Sequence, residues 1–139
     1  MMKAKRFLPA LASLLMAPFL MSPALGQTTR SKPATGAPAE ISRKIGGKWS
    51  AFGGVIPGKN LALVPNRMIV QTWRSTAWKA ADPDSILVIR FEKSKSGGAT
   101  VHLAHVGVPE HDHKGVTQGW IKYYWEPWRK YLKGRKRRA

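Results

Sequence analysis

Between about residue 46 and residue 108, apolar and polar positions alternate in short runs broken by glycine, proline and asparagine, the spacing of an antiparallel meander. Five strands are predicted. Lys48–Gly54 and Asn60–Pro65 are the first two, with the Pro57-Gly58 pair between them read as a turn. Arg67–Arg74 follows the Pro65-Asn66 turn. In Ser85–Lys93, Leu87, Ile89 and Phe91 alternate with Ile86, Val88, Arg90 and Glu92, which assigns the first set to a buried face. A Ser-Lys-Ser-Gly-Gly hairpin then leads into Ala99–Val108, where Val101 and Leu103 alternate with Thr100, His102 and Ala104.

Beyond a polar connection over residues 110–118 the period changes. From about Val116, Trp120, Tyr124, Trp128 and Tyr131 recur at helical spacing, with Ile121, Trp125 and Leu132 beside them. The pattern predicts one C-terminal helix. Pro127 supplies no N–H to the carbonyl of Tyr123, so a kink or fresh start is expected there, with Glu126 displaced from helical geometry. A meander followed by a helix makes the chain α+β.

The first 26 residues read differently: a cationic start, an apolar run from Phe7 to Met21 and a small-residue exit form the pattern of a secretory signal peptide. Cleavage is expected between Gly26 and Gln27, and the destination is periplasmic or secreted. The domain reading is therefore a signal peptide over 1–26, a polar, disordered linker over 27–39, a domain over 40–133 and a basic tail over 134–139. With no cysteine, burial alone must hold the fold. The formal net charge of +17 falls to +14 when Lys3, Lys5 and Arg6 leave with the leader. Such a charge favours anionic surfaces, membrane headgroups included, while export disfavours nucleic acid as the natural partner.

The stretches "GAPAEISRKIGGKWSAFGGVIPGKNLALVPNRMIVQTWRSTAW", "SILVIRFEKSKSGGATVHLAHVGVP" and "GWIKYYWEPWRKYL" come in the order seen in the activator of heat-shock-protein-90 ATPase homologue family. The chain resembles that family, part of the START-like, SRPBCC or birch-pollen-allergen superfamily, from about Gly36 to Leu132. The resemblance implies a helix-grip fold: a curved antiparallel sheet, here of about five strands, packed on one long C-terminal helix around an apolar cavity. It also implies one further strand and two short helices ahead of residue 37, which this chain is expected to lack. Their loss would expose apolar surface, so a homodimer or marginal stability is expected.

The chemistry-bearing residues are sparse. His111 and His113 form a pair in a polar loop, while His102 and His105 stand three apart on one strand and face opposite ways, so no metal site is expected. No nucleophile elbow, carboxylate pair or phosphate-binding glycine loop is present, so the chain is read as non-enzymatic and without a cofactor. The expected function is a START-like binding module for a small hydrophobic ligand or a protein client. Trp73 and Phe91 from the sheet and Trp120, Tyr124 and Trp128 from the helix are the candidate ligand contacts. The alternative is an envelope-associated protein acting through charge, with Lys133, Arg135, Lys136, Arg137 and Arg138 as an anionic-surface tether.

Overall fold

The alternating runs become the strands of an antiparallel sheet in a computed structural model that describes residues 2–5, 29–31, 38–95 and 98–136, with side chains over 38–95 and 98–134. Among the described residues there are eight strands rather than about five: β1 (Met2–Lys5), β2 (Thr29–Ser31), β3 (Ala39–Ile41), β4 (Lys48–Ala51), β5 (Ile56–Val64), β6 (Met68–Trp73), β7 (Ser85–Lys93) and β8 (Gly98–Val106). Their order is β1-β8-β7-β6-β5-β4-β3-β2, so consecutive strands are neighbours everywhere except at β1. The additional strands are three or four residues long, too short to show an alternation in sequence. The body of the expected signal peptide and the last three residues of the basic tail lie outside the described residues.

On β7, Leu87, Ile89 and Phe91 are buried as the alternation predicts, and Ile69 and Trp73 on β6 share their face through the Ile69–Ile89 and Trp73–Ser85 pairings. Against this face lies a helical rod: a short 3-10 turn (Glu110–Asp112), α1 (His113–Gly119), a π-helical segment (Trp120–Trp125) and α2 (Glu126–Lys136). The rod begins earlier than the sequence suggests, because the polar residues 110–115 form its first turns. Val116, Trp120, Trp128 and Leu132 are buried and Tyr124 is half-buried. Tyr131 belongs to the other face and is exposed.

The π-helical segment accounts for that change of face. In an α-helix successive residues are 100° apart, so positions recurring every four residues drift by about 40° per step and leave the core. The wider π turn resets the drift and keeps Val116, Trp120, Tyr124, Trp128 and Leu132 against the sheet. Its cause is Pro127: the ring cannot coexist with a regular i→i+4 turn below it, and the Glu126 N–H bonds instead to the carbonyl of Ile121, five residues back. Glu126 itself stays helical, at φ −66° and ψ −51°, so the expected displacement is taken up by the turn before it.

The Pro57-Gly58 pair is not a turn but the start of β5. Pro57 has no N–H to give, but its carbonyl accepts the N–H of Arg74 at 3.3 Å, and Gly58 gives the indole of Trp49 room to lie against the backbone. The chain reverses three to five residues before Pro57, where Phe52, Gly53 and Gly54 all have positive φ. At the other end of β4, Asn60 is almost wholly buried and saturated: its amide donates to the carbonyls of Ser42 (2.7 Å) and Lys44 (3.1 Å) and accepts from Gln71 (2.8 Å). It fixes the loop over residues 42–47 to the sheet.

A polar chain joins the helix to the sheet. The Trp120 indole donates to Nδ1 of His105 at 3.0 Å, which puts the imidazole proton on Nε2. That N–H donates to the Ser85 hydroxyl (2.8 Å), and the hydroxyl donates to the Trp73 carbonyl (2.7 Å). Helix, β8, β7 and β6 are thus linked in one direction. Burial lowers the His105 pKa from its ordinary 6.5 to about 4, because the charged ring would sit among Trp73, Trp120 and the sheet.

Two outcomes test this architecture. A Cβ at position 58 would collide with the Thr72 carbonyl oxygen and the Trp49 ring, so Gly58→Ala should lower stability by about 3 kcal/mol in urea denaturation. His105 is neutral in the folded chain but takes up a proton near pH 6.5 when unfolded. Its contribution is therefore complete above that pH and is lost progressively as pH falls from 6.5 toward 4. Discounted for partial exposure, the loss is about 1–2 kcal/mol. The pH dependence of the wild type minus that of His105→Gln isolates it; equal profiles would remove His105 as its source.

Candidate functional site

Where α1 and the π-helical segment leave the sheet, the covering is incomplete. A cleft of about 400 Å³ opens between the Phe52–Ile56 turn, the end of β6 and the inner face of the helix. Phe52, Val55 and Ile56 form one wall; Val116, Gly119, Trp120, Tyr123 and Tyr124 form the other; Trp73 and Ser75 lie at the base and Asp112 on the rim. The lining is mostly apolar and aromatic, the composition of a small-molecule site or of a groove that receives a side chain.

Local sequence shapes each wall. Phe52 sits at φ 53°, a conformation unusual for a residue with a Cβ, and its ring meets Tyr124 edge-on at 5.5 Å and Tyr123 at 6.1 Å. Gly119 puts no side chain into the cleft, and the space it leaves is part of the opening. Trp120 stacks at 4.3 Å on Tyr124. The loop after β6 is held by Arg74, which donates to the carbonyls of Lys79 (2.5 Å) and Asp82 (2.6 Å). The loop is tied to the helix start by Trp78, whose indole donates to Asp112 at 2.6 Å.

Of the five residues assigned to ligand contact from sequence, Trp73, Trp120 and Tyr124 meet at this cleft. Trp128 is buried one turn further along, against Tyr124 and Trp125, and is core. Phe91 is also buried away from this cleft, and it lines a second, more polar depression together with Arg67, Met68 and Arg90. Phe52, Val55 and Tyr123 were not identified from sequence. The "AFGG" stretch carried a signal for Phe52, because consecutive glycines after an aromatic mark a turn that presents the ring. On the tail, Lys133 is exposed on α2, and the side chains of Arg135, Lys136, Arg137 and Arg138 lie outside the described residues.

Two features bear on catalysis. Ser85 and His105 are within hydrogen-bond distance, as in a nucleophile-base pair, but the polarity is reversed. The imidazole is the donor, its other nitrogen is occupied by Trp120, and the serine is fully buried and bound to a carbonyl. The pair therefore cannot activate the serine in this arrangement. Two of the remaining three histidines are engaged separately: His102 with Glu92 at 2.9 Å and His111 with Asp82 at 3.0 Å. The His111 hydrogen bond, first among several causes, holds the Asp82 carboxyl below its ordinary pKa. Burial, opposed weakly by the Trp73 indole, raises the Tyr124 phenol above its ordinary value, so it stays protonated.

Comparison with known proteins agrees with this architecture. Residues 23–133 match the family described as Activator of Hsp90 ATPase homolog 1-like protein. "Activator of 90 kDa heat shock protein ATPase homolog 1" of Homo sapiens is 30% identical over 92 residues, covering 66% of this chain and 27% of that protein. The homolog of Dictyostelium discoideum is 35% identical over 75 residues, covering 54% of this chain and 19% of that protein. The chain thus corresponds to about a quarter of the length of the curated relatives it matches. In fold, it is similar to the crystal structure of an HSP90 activator from Plasmodium falciparum, with a TM-score of 0.64 and 24% identity, over 72% of this chain and 76% of that one. A curved antiparallel sheet gripping one C-terminal helix, matched by the family over most of its length, places this chain in the Activator of Hsp90 ATPase homolog 1-like family.

Proposed function

We propose that this protein is an exported, non-enzymatic binding module whose aromatic cleft receives a small apolar or amphipathic ligand. The observation that carries the proposal is the cleft itself: about 400 Å³, walled by Phe52, Trp73, Trp120, Tyr123 and Tyr124, at the open end of the helix grip. Rigid rings of this kind supply contact area at little cost in conformational entropy. Export rests on the leader pattern of the first 26 residues. The reversed polarity of the Ser85–His105 pair favours binding over turnover.

A protein client is the second reading, and one observation favours it. Tyr123, part of the cleft wall, is 50% exposed and extends the apolar surface beyond what a small ligand would cover. The relatives named as activators of a heat-shock ATPase point the same way. Action through charge is separable from both, because binding to anionic vesicles through Lys133 and the basic tail should disappear by moderate ionic strength.

A neutral dye avoids the net charge. N-phenyl-1-naphthylamine should bind at one site in about 0.5 M salt, with blue-shifted emission, since only exposed charge interactions are screened there. Gly119→Leu, which fills the cleft from a helical position, should weaken that binding at least about tenfold while leaving the fold intact, because leucine is the better helix former. Unchanged dye affinity in a folded Gly119→Leu protein would place the ligand elsewhere.

A further inference from the structure

The cleft is apolar with one polar feature that packing alone does not explain. Trp73 is only 6% exposed, yet its indole N–H has no hydrogen-bond acceptor. Buried donors are nearly always paired, and leaving one unpaired is costly. The indole favours the Tyr124 phenolate, against the effect of burial, without reaching hydrogen-bond geometry. Both residues line the cleft.

We propose that the Tyr124 hydroxyl, backed by the Trp73 N–H, is the hydrogen-bond donor of the cleft and selects uncharged ligands that carry one carbonyl-type acceptor on an apolar body. The inference rests on the cleft being a ligand site and adds the ligand's chemical class. A small shift that lets the phenol oxygen accept from the Trp73 N–H leaves its own proton to donate to a ligand in the cleft that both residues line. A ligand oxygen that accepts that proton completes a chain from Trp73 through Tyr124 to the ligand.

Charge restricts the head group further. None of the residues lining the cleft is a lysine or arginine, and the Asp112 carboxylate stands on the rim. Asp112 already accepts from the Trp78 indole, and the Ser75 hydroxyl accepts from the Ala77 N–H. A carboxylate head would meet one anion and no cation despite the basic surface elsewhere. A ketone, aldehyde, ester or amide oxygen needs only the single donor that the phenol offers. Tyr124 also remains a phenol across the working pH range, because burial raises its pKa.

Three probes of nearly the same shape test this on the full chain: 2-acetylnaphthalene, 2-ethylnaphthalene and 2-naphthoate, titrated at high salt by tryptophan fluorescence. The acetyl compound should bind about tenfold more tightly than the ethyl compound, the scale of one well-made hydrogen bond, and naphthoate should bind least. In Tyr124→Phe, which keeps the ring, the acetyl advantage should vanish while ethylnaphthalene affinity stays the same. Equal affinities for acetyl and ethyl probes in the wild type would overturn the donor role while leaving the cleft a ligand site. Tightest binding of naphthoate would overturn the neutral head group. If no probe binds, the cleft is not a small-molecule site and the underlying proposal fails with it. A loss of all binding in Tyr124→Phe would mean that the hydroxyl holds the cleft's shape, which also overturns the donor role.

Discussion

The inner face of the sheet carries Ile69, Trp73, Leu87, Ile89 and Phe91, and one helix has to cover it. Everything else in the fold follows from that covering. Without cysteine, no cross-link can substitute for it, and a domain of this size has little other apolar surface to bury. The helix meets the requirement by repeating large side chains every four residues, and its π-helical segment holds the repeat in line with the sheet. The proline that looks like a defect in the helix is what sets the position of this wider turn.

Covering a curved sheet with a straight rod leaves space at one end, and large rings fill such space poorly. The cleft lies where the rod begins, between the Phe52–Ile56 turn and Trp120. The surrounding polar groups show how firmly its walls are held. Trp78 and Asp112 join the loop after β6 to the helix start, and the chain from Trp120 through His105 and Ser85 to the Trp73 carbonyl anchors the helix to three strands. A site on such supports is pre-formed, so little ordering is required when it is filled. Within it, the Trp73 N–H is the donor left without a partner, which gives an apolar opening a direction.

Sequence reasoning reached the middle of the fold well and its margins poorly. The faces of β7 followed from alternation, since Leu87, Ile89 and Phe91 are far enough inside a regular strand for period two to dominate. The Pro57-Gly58 pair misled because the same residues suit a turn and a strand against which an indole packs closely; only the position of Trp49 distinguishes them. Three of five proposed contact residues converge at the cleft. Phe91 and Trp128 have the same chemistry but lie deeper, and nothing in their local spacing separates a core ring from a cavity ring. His105 was weighed only as a metal ligand, because a single histidine on a strand gives no sign that a tryptophan on a helix will fix its tautomer.

The amino-acid sequence by itself determined the class of architecture and the family: strand and helix periods, the order of the glycine and tryptophan motifs, and the absence of cysteine are all local or linear properties. Which rings open onto solvent, which way the Ser85–His105 pair is polarised and which indole N–H groups lack acceptors were decided only in the tertiary structure. Each depends on distances between residues far apart in the chain, and those distances are set by how the helix seats on the curved sheet.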